Sequence, residues 1–233
     1  MVLNSSKTKC LPFIMSRTKD FIPQLSLEEG SNLEVIYSLK LVGLVITSDL
    51  SWESHVSYTV KRVNKVLWQL TRFKQLGADI EKLTQFYILK VRSILMFGAA
   101  CFHSALTVEQ DHRLELQQKR SLAIILGKNY QNYTQARTLV NLPCLHSLRE
   151  SVCLNWAQKA QSNPQHSHLF PLNQNLLNTR KNNKYHEYLC RGARFYHSAV
   201  PSMTRALNAS QIQPAGANRT VSLTTRSGFV ITV

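Results

Sequence analysis

A phased apolar stripe constrains this chain more than any other feature. Val56, Val60, Val63, Leu67, Leu70 and Phe73 follow one another in steps of four and three. That is the period of an amphipathic α-helix with one face covered, held for five turns, and no strand can present it. Ser51 stands where an N-cap is needed and Gly77 where the helix should stop. Lys61, Arg62, Lys65, Arg72 and Lys74 occupy the opposite face.

A helix of this kind is stable only against partners, and the next hundred residues supply them. A second helix is expected after the N-capping Asp79, with Leu83, Phe86, Tyr87, Val91, Ile94 and Leu95 as its stripe, running to about Leu106. Thr107 with Gln110 forms a capping box and opens a third, which carries Leu114, Ile124 and Ile125 and ends at Gly127. A fourth spans about Gln135 to Leu142, before Pro143. A fifth spans Leu145 to Gln161, with Leu148, Val152, Trp156 and Ala160 on one side. Short connections between consecutive helices imply antiparallel packing.

The flanks read differently. Leu11 to Met15, Leu33 to Tyr37 and Lys40 to Thr47 read as short strands, the last bent at Gly43. Beyond Asn163-Pro164 the chain is rich in Asn, Gln and His and promises little core. The expected fold is mainly α: a small β remnant over residues 1–50, an antiparallel helical bundle over 51–161, a basic region over 162–208, and a poorly ordered, disordered tail over 209–233. With 44% hydrophobic residues in 233, the chain can fill a core, and at roughly 150 residues per domain it holds one or two domains. Its longest uncharged apolar run, Ile94 to Phe102, has nine residues, against roughly 20 for a membrane span. A transmembrane helix and a membrane partner are therefore not expected.

Charge separates the zones. Residues 1–60 carry five basic and six acidic side chains, residues 61–160 fifteen and six, and residues 161–233 eight and one. The whole chain has a formal charge of +15, which calls for a polyanion, most simply an RNA or DNA backbone. The five cysteines are widely spaced, without a Cys-x-x-Cys pair, and the N-terminus has no apolar leader. Reduced thiols and a location in cytoplasm or nucleus follow as expectations. Cys144, His146 and Cys153, with His166 and His168, form only a loose metal set; Cys153 suits a core position better. Trp52, Trp68 and Trp156 read as core anchors, and His55, His103 and His146 as structural or surface residues.

Only four aspartates are present, Asp20, Asp49, Asp79 and Asp111, and no two are close in sequence. Capping and helix-dipole compensation account for the last three. Phosphate loops, zinc-protease pairs and nucleophile elbows have no counterpart here.

Several short motifs carry a resemblance. Asn4-x-x-Lys7-Thr8-Lys9, Leu41-Val42-Gly43, Asp49-Leu50-x-Trp52-x-x-His55-Val56, Val91 to Leu95 with Gly98, Leu122 to Gly127, and Ser198 to Pro201 with Arg205 to Asn208 occur in this order. The array resembles the end of a non-LTR (LINE-type) retrotransposon reverse transcriptase, an RNA-directed DNA polymerase, over roughly residues 1–208. The resemblance implies a palm remnant over 1–50, thumb helices over 51–161 and the region beyond. It implies that Lys7 and Lys9 lie near the incoming nucleotide and that Gly43 belongs to a hairpin gripping the primer. It also implies Mg²⁺ in the intact enzyme, held by carboxylates upstream, and the missing palm and fingers as a partner. The family's Tyr-Ala-Asp-Asp turn has no counterpart in this sequence, and two-metal transfer requires such carboxylates. No cofactor is therefore expected in this fragment.

The basic stripe Lys61, Arg62, Lys65, Arg72 and Lys74 is then the candidate backbone-binding face, with Arg191 and Arg194 in the Tyr/Arg-interleaved stretch 185–205 as a site suited to base stacking. The alternative is a catalytically inert helical protein-interaction module with an exposed apolar face. Salt dependence separates the two readings.

Overall fold

The computed structural model describes residues 8–13, 25–26, 32–173 and 183–211. Of these, 63% are helical and 9% are in strands or bridges, as a mainly α chain with a small N-terminal β portion requires. Lys7 and residues 212–233 lie outside the described residues. The tail expected from residue 209 does not start there: Ala209 to Gln211 still belong to the last helix.

Four short strands open the chain. β1 (Lys9–Cys10) pairs in parallel with β2 (Glu34–Val35), and β3 (Ser38–Leu41) pairs antiparallel with β4 (Leu44–Thr47). The expected strand Leu11 to Met15 is absent over its described residues 11–13, and the neighbouring β1 pairs instead. Lys40 to Thr47 is not one bent strand. Leu41 faces Leu44 across a two-residue turn, Val42-Gly43, with φ of +47° and +89°. Positive φ at both positions is the type I′ geometry, whose twist matches that of paired strands.

α1 (Glu53–Gln75) buries Val56, Val63, Leu67 and Leu70. Its N-cap is Trp52, not Ser51. Ser51 lies in the preceding turn, where its N–H donates to Asp49 Oδ1 (3.0 Å) and its carbonyl accepts from Thr47 Oγ1 (2.9 Å). Trp52, His55 and Phe102 pack ring against ring at 5.0–5.8 Å, and the Val45 N–H of β4 points to His55 Nδ1 at 3.4 Å. This cluster seats the hairpin on α1.

The second helix is not continuous. α2 (Ile80–Phe86), capped by Asp79, runs into a π-helical turn (Tyr87–Arg92) and then α3 (Ser93–Met96). The chain breaks at Gly98 (φ +69°) before α4 (Ala99–Phe102) and a 3₁₀ turn (His103–Ala105). From Leu83 to Ala99 the buried residues are Leu83, Tyr87, Val91, Leu95 and Ala99, every fourth position. An α-helix would rotate such a series off the core; the wider π turn keeps it there. The glycine at the break has a tertiary cause. A Cβ on Gly98 would meet Leu44 at 2.7 Å, and one on Gly43 would meet Phe97 at 2.9 Å. Two glycines thus let hairpin and helix interlock.

α5 (Val108–Leu126) starts on the expected capping box and stops at Gly127. It runs parallel to α1: Arg113 meets Glu53, Arg120 approaches Asn64, and Lys74 reaches Ile124 and Ile125. α6 (Tyr133–Leu139), capped by Asn132, ends earlier than expected, and Asn141 (φ +51°) turns the chain toward α7 (Leu145–Ser162).

α7 buries Leu145, Arg149, Cys153, Ala157 and Ala160. The expected stripe through Val152 and Trp156 is one residue off, and both are partly exposed. The region beyond residue 162 has more core than its composition promises. A short α8 (Ala193–Tyr196) leads into α9 (Ala199–Gln211), whose Met203 and Leu207 join Cys153, Ala157, Phe170 and Tyr185 in a second apolar cluster.

Candidate nucleic-acid interface

The solvent side of α1 is cationic from Lys61 to Arg72. Lys61, Arg62, Lys65 and Arg72 are all exposed. At about 100° per residue, Lys61, Lys65 and Arg72 lie within roughly 40° of one another, and Arg62 is offset by about 60° from Lys65. Glu53 is the only acidic residue in α1, and Arg113 and Ser57 hold its carboxyl below the usual carboxylate range. Two neighbouring elements extend the positive surface: Lys40 from β3 and Arg120 from α5.

Aromatic rings interleave with these cations. The Lys40 ammonium donates to the Tyr58 hydroxyl (2.7 Å) and lowers that phenol's pKa; the Arg62 guanidinium lies 5.7 Å from the same ring. Trp68, expected in the core, is 62% exposed, with Arg72 5.2 Å from its ring centroid. A strand of phosphates needs spaced, solvent-facing cations that no carboxylate neutralises, and this face supplies them.

Lys74 is not part of this face. Its ammonium turns inward and donates to the carbonyl oxygens of Ile124 and Ile125, the latter at 3.1 Å, at the C-terminal end of α5. The stripe itself carried the signal: four residues beyond Leu70 is Lys74, on the buried side, whereas Phe73 is exposed. A lysine there places a cation against the unpaired carbonyls that close a helix.

The other expected residues lie elsewhere. Lys9 pairs with Glu34 across β1 and β2 at 2.9 Å. Gly43 is accounted for by its φ and by Phe97. Arg194 in α8 and Arg191 just before it are exposed, and α8 packs on α9. The stacking series around them is broken. Tyr185 is buried and its hydroxyl meets Gln161, Tyr188 donates to the Leu169 carbonyl (2.8 Å), and the Arg205 guanidinium lies 3.7 Å from the Tyr196 ring.

A second constellation comes from three elements. His103, Asp111 and His146 bring ligand-type atoms within 4.8 Å of one another beside a cavity of about 360 Å³. The fully buried Arg149 already serves them as cation: Nη2 pairs with Asp111 Oδ1 and Nε donates to His103 Nδ1 at 3.3 Å. Asp111 Oδ2 and Glu150 flank His146 at 3.1 and 3.5 Å. Burial, then the guanidinium, pushes the His103 pKa down to about 4, so the ring is a neutral acceptor. Sequence reasoning missed this network because Arg149 does not look like a core residue. Of the loose cysteine–histidine set, Cys144 caps α7 and Cys153 is in the second cluster, while His166 stacks near Trp156.

The described aspartates do not fit a two-Mg²⁺ site. Asp49 holds a turn, Asp79 caps α2 and Asp111 pairs with Arg149, each on a separate element. By length and composition, Ile80–Ala105 is long and apolar enough to cross a membrane, although its longest uncharged apolar run is the nine residues Ile94 to Phe102; Leu83, Tyr87, Val91, Leu95, Ala99 and Phe102 within it are buried in the core of the bundle.

No family model, curated protein or solved structure matches this chain.

Proposed function

We propose that the chain is the C-terminal portion of a non-LTR retrotransposon reverse transcriptase, a palm remnant with thumb-like helices, that holds nucleic acid by its backbone and does not itself transfer nucleotides. The observation that carries the binding reading is the aligned, exposed set Lys61, Arg62, Lys65 and Arg72 on a helix whose only carboxylate is tied elsewhere. These four span about 16 Å at 1.5 Å per residue. Phosphates repeat every 3.4 Å along a strand, so three or four contacts are within reach.

The test is an anisotropy titration of duplex DNA and RNA–DNA hybrid at several salt concentrations. Log affinity should fall against log salt with a slope of about −3 to −4. The triple variant Lys61→Gln, Lys65→Gln, Arg72→Gln should lose two to three units of slope, since each phosphate contributes about 0.9, while remaining folded. An unchanged slope would remove this face from the reading. Primer extension with Mg²⁺ or Mn²⁺ should give no product, and extension surviving active-site controls would end the inert-fragment reading.

One observation favours a protein-interaction module instead. Phe73, Leu76 and Ile80, around the α1–α2 turn, are all exposed apolar residues. Partner capture through these residues would be insensitive to salt.

A further inference from the structure

Trp68 is out of place on any packing argument. It sits on the solvent side of α1, toward α5, beside the cationic row of Lys61, Lys65 and Arg72, and is 62% exposed. A tryptophan normally contributes by covering its large apolar ring, and its helix propensity is only average. A residue that breaks the local pattern without a local gain marks a functional position in many folds.

The surroundings suit one kind of ligand. Trp68 stands beside a shallow groove of about 400 Å³ between α1 and α5, lined also by Asn64, Thr71, Arg120 and Ile124. The groove is lined by the apolar Leu67, Ala123 and Ile124, by the Trp68 ring and by one cation, Arg120, and carboxylates are absent from its lining; Arg72 lies 5.2 Å from the same ring. Asn64 and Arg120 touch only weakly, at 3.5 Å, so both retain hydrogen-bonding capacity. Thr71, by contrast, is committed to the Leu67 carbonyl at 3.0 Å.

We infer that Trp68 is a stacking platform for an unpaired base, and that this face binds single strands in preference to duplexes. A flat π-face meets any base, whereas a paired base inside a duplex offers none of its own. Lys61, Lys65 and Arg72 would then track the phosphates on one side of the ring and Arg120 on the other. The inference rests on the backbone-binding reading above and adds the ligand's class to it.

The test uses the full chain and three labelled probes: a 12-nucleotide oligodeoxythymidine, the same strand with abasic sites, and a 12-base-pair duplex. The first two carry equal charge, so their ratio reads base stacking alone. The intact strand should bind roughly 5- to 150-fold more tightly than the abasic one. Trp68→Ala should abolish that ratio and leave the salt slope unchanged, with Trp68→Phe intermediate. Circular dichroism and urea midpoint should match the parent, because the ring is outside the core. A ratio near one in the parent, or a ratio that survives Trp68→Ala, overturns the inference while a salt slope sensitive to the lysine variants keeps the backbone reading. If none of the probes binds even at low salt, both fall together.

Discussion

Lys74 provides the sharpest test of the interface, because charge and position make opposite demands of it. As one of five cations on α1 it would be a phosphate ligand; in the structure it bonds the last carbonyls of α5. Consider Lys74→Met, which keeps length and helix propensity and deletes the charge. A hydrogen bond from a charged donor is worth about 1.5–3 kcal/mol, and a cation at a helix C-terminus adds about 0.3–1 kcal/mol. The two carbonyls share one ammonium, so the loss should be about 2–3 kcal/mol and not twice that. With an m-value of about 2–3 kcal/mol/M for a chain of this size, the urea midpoint should fall by about 1 M. Binding is the second readout. If Lys74 met a phosphate, its loss would reduce the salt slope by about 0.9; the slope should instead stay where it is. Lys61→Gln should do the reverse, keeping the midpoint and shortening the slope. A Lys74→Met protein with unchanged stability and a shortened slope would refute the placement.

Three further outcomes follow from local geometry. At the hairpin, Val42→Asn should raise stability by about 1 kcal/mol, since a β-branched residue at φ +47° is strained and Asn-Gly suits a type I′ turn; Gly43→Ala should lower it by about 1–3 kcal/mol, both read from urea midpoints. Arg149→Met should cost about 3 kcal/mol by removing the buried cation that pairs with Asp111 Oδ1, and adding Asp111→Leu should recover most of it; a double variant as weak as the single would show that the ion pair is not the cause. His103, neutral in the fold with a pKa near 4, takes no proton while the unfolded chain does, so stability should fall as pH drops from about 6.5 to 4. Allowing for its partial exposure, the loss is about 1–2 kcal/mol, and denaturation of His103→Gln across that range should lack this component.

The helical architecture was legible because local chemistry and tertiary role agreed. Val56, Val63, Leu67 and Leu70 are apolar at helical spacing and buried for that reason, and Thr107, Gln110 and Asp79 cap where their side chains alone dictate. The cations of the proposed interface were legible in the same way, since period 3.6 places Lys61, Lys65 and Arg72 opposite the stripe. What failed were residues whose type and position conflict. Arg149 is buried because Asp111 and His103, 38 and 46 residues away, complete its hydrogen bonding. Its charge therefore hid the true face of α7. Trp68 is apolar and exposed, so hydrophobicity alone sent it to the core. The break at Gly98 could not be read from its own segment, because its cause is Leu44 on a hairpin fifty residues earlier. Periodicity and capping are properties of neighbours along the chain, and one sequence determines them. Which charge finds a buried partner, which ring is left uncovered and which glycine meets a side chain depend on segments that become neighbours only when the chain is folded.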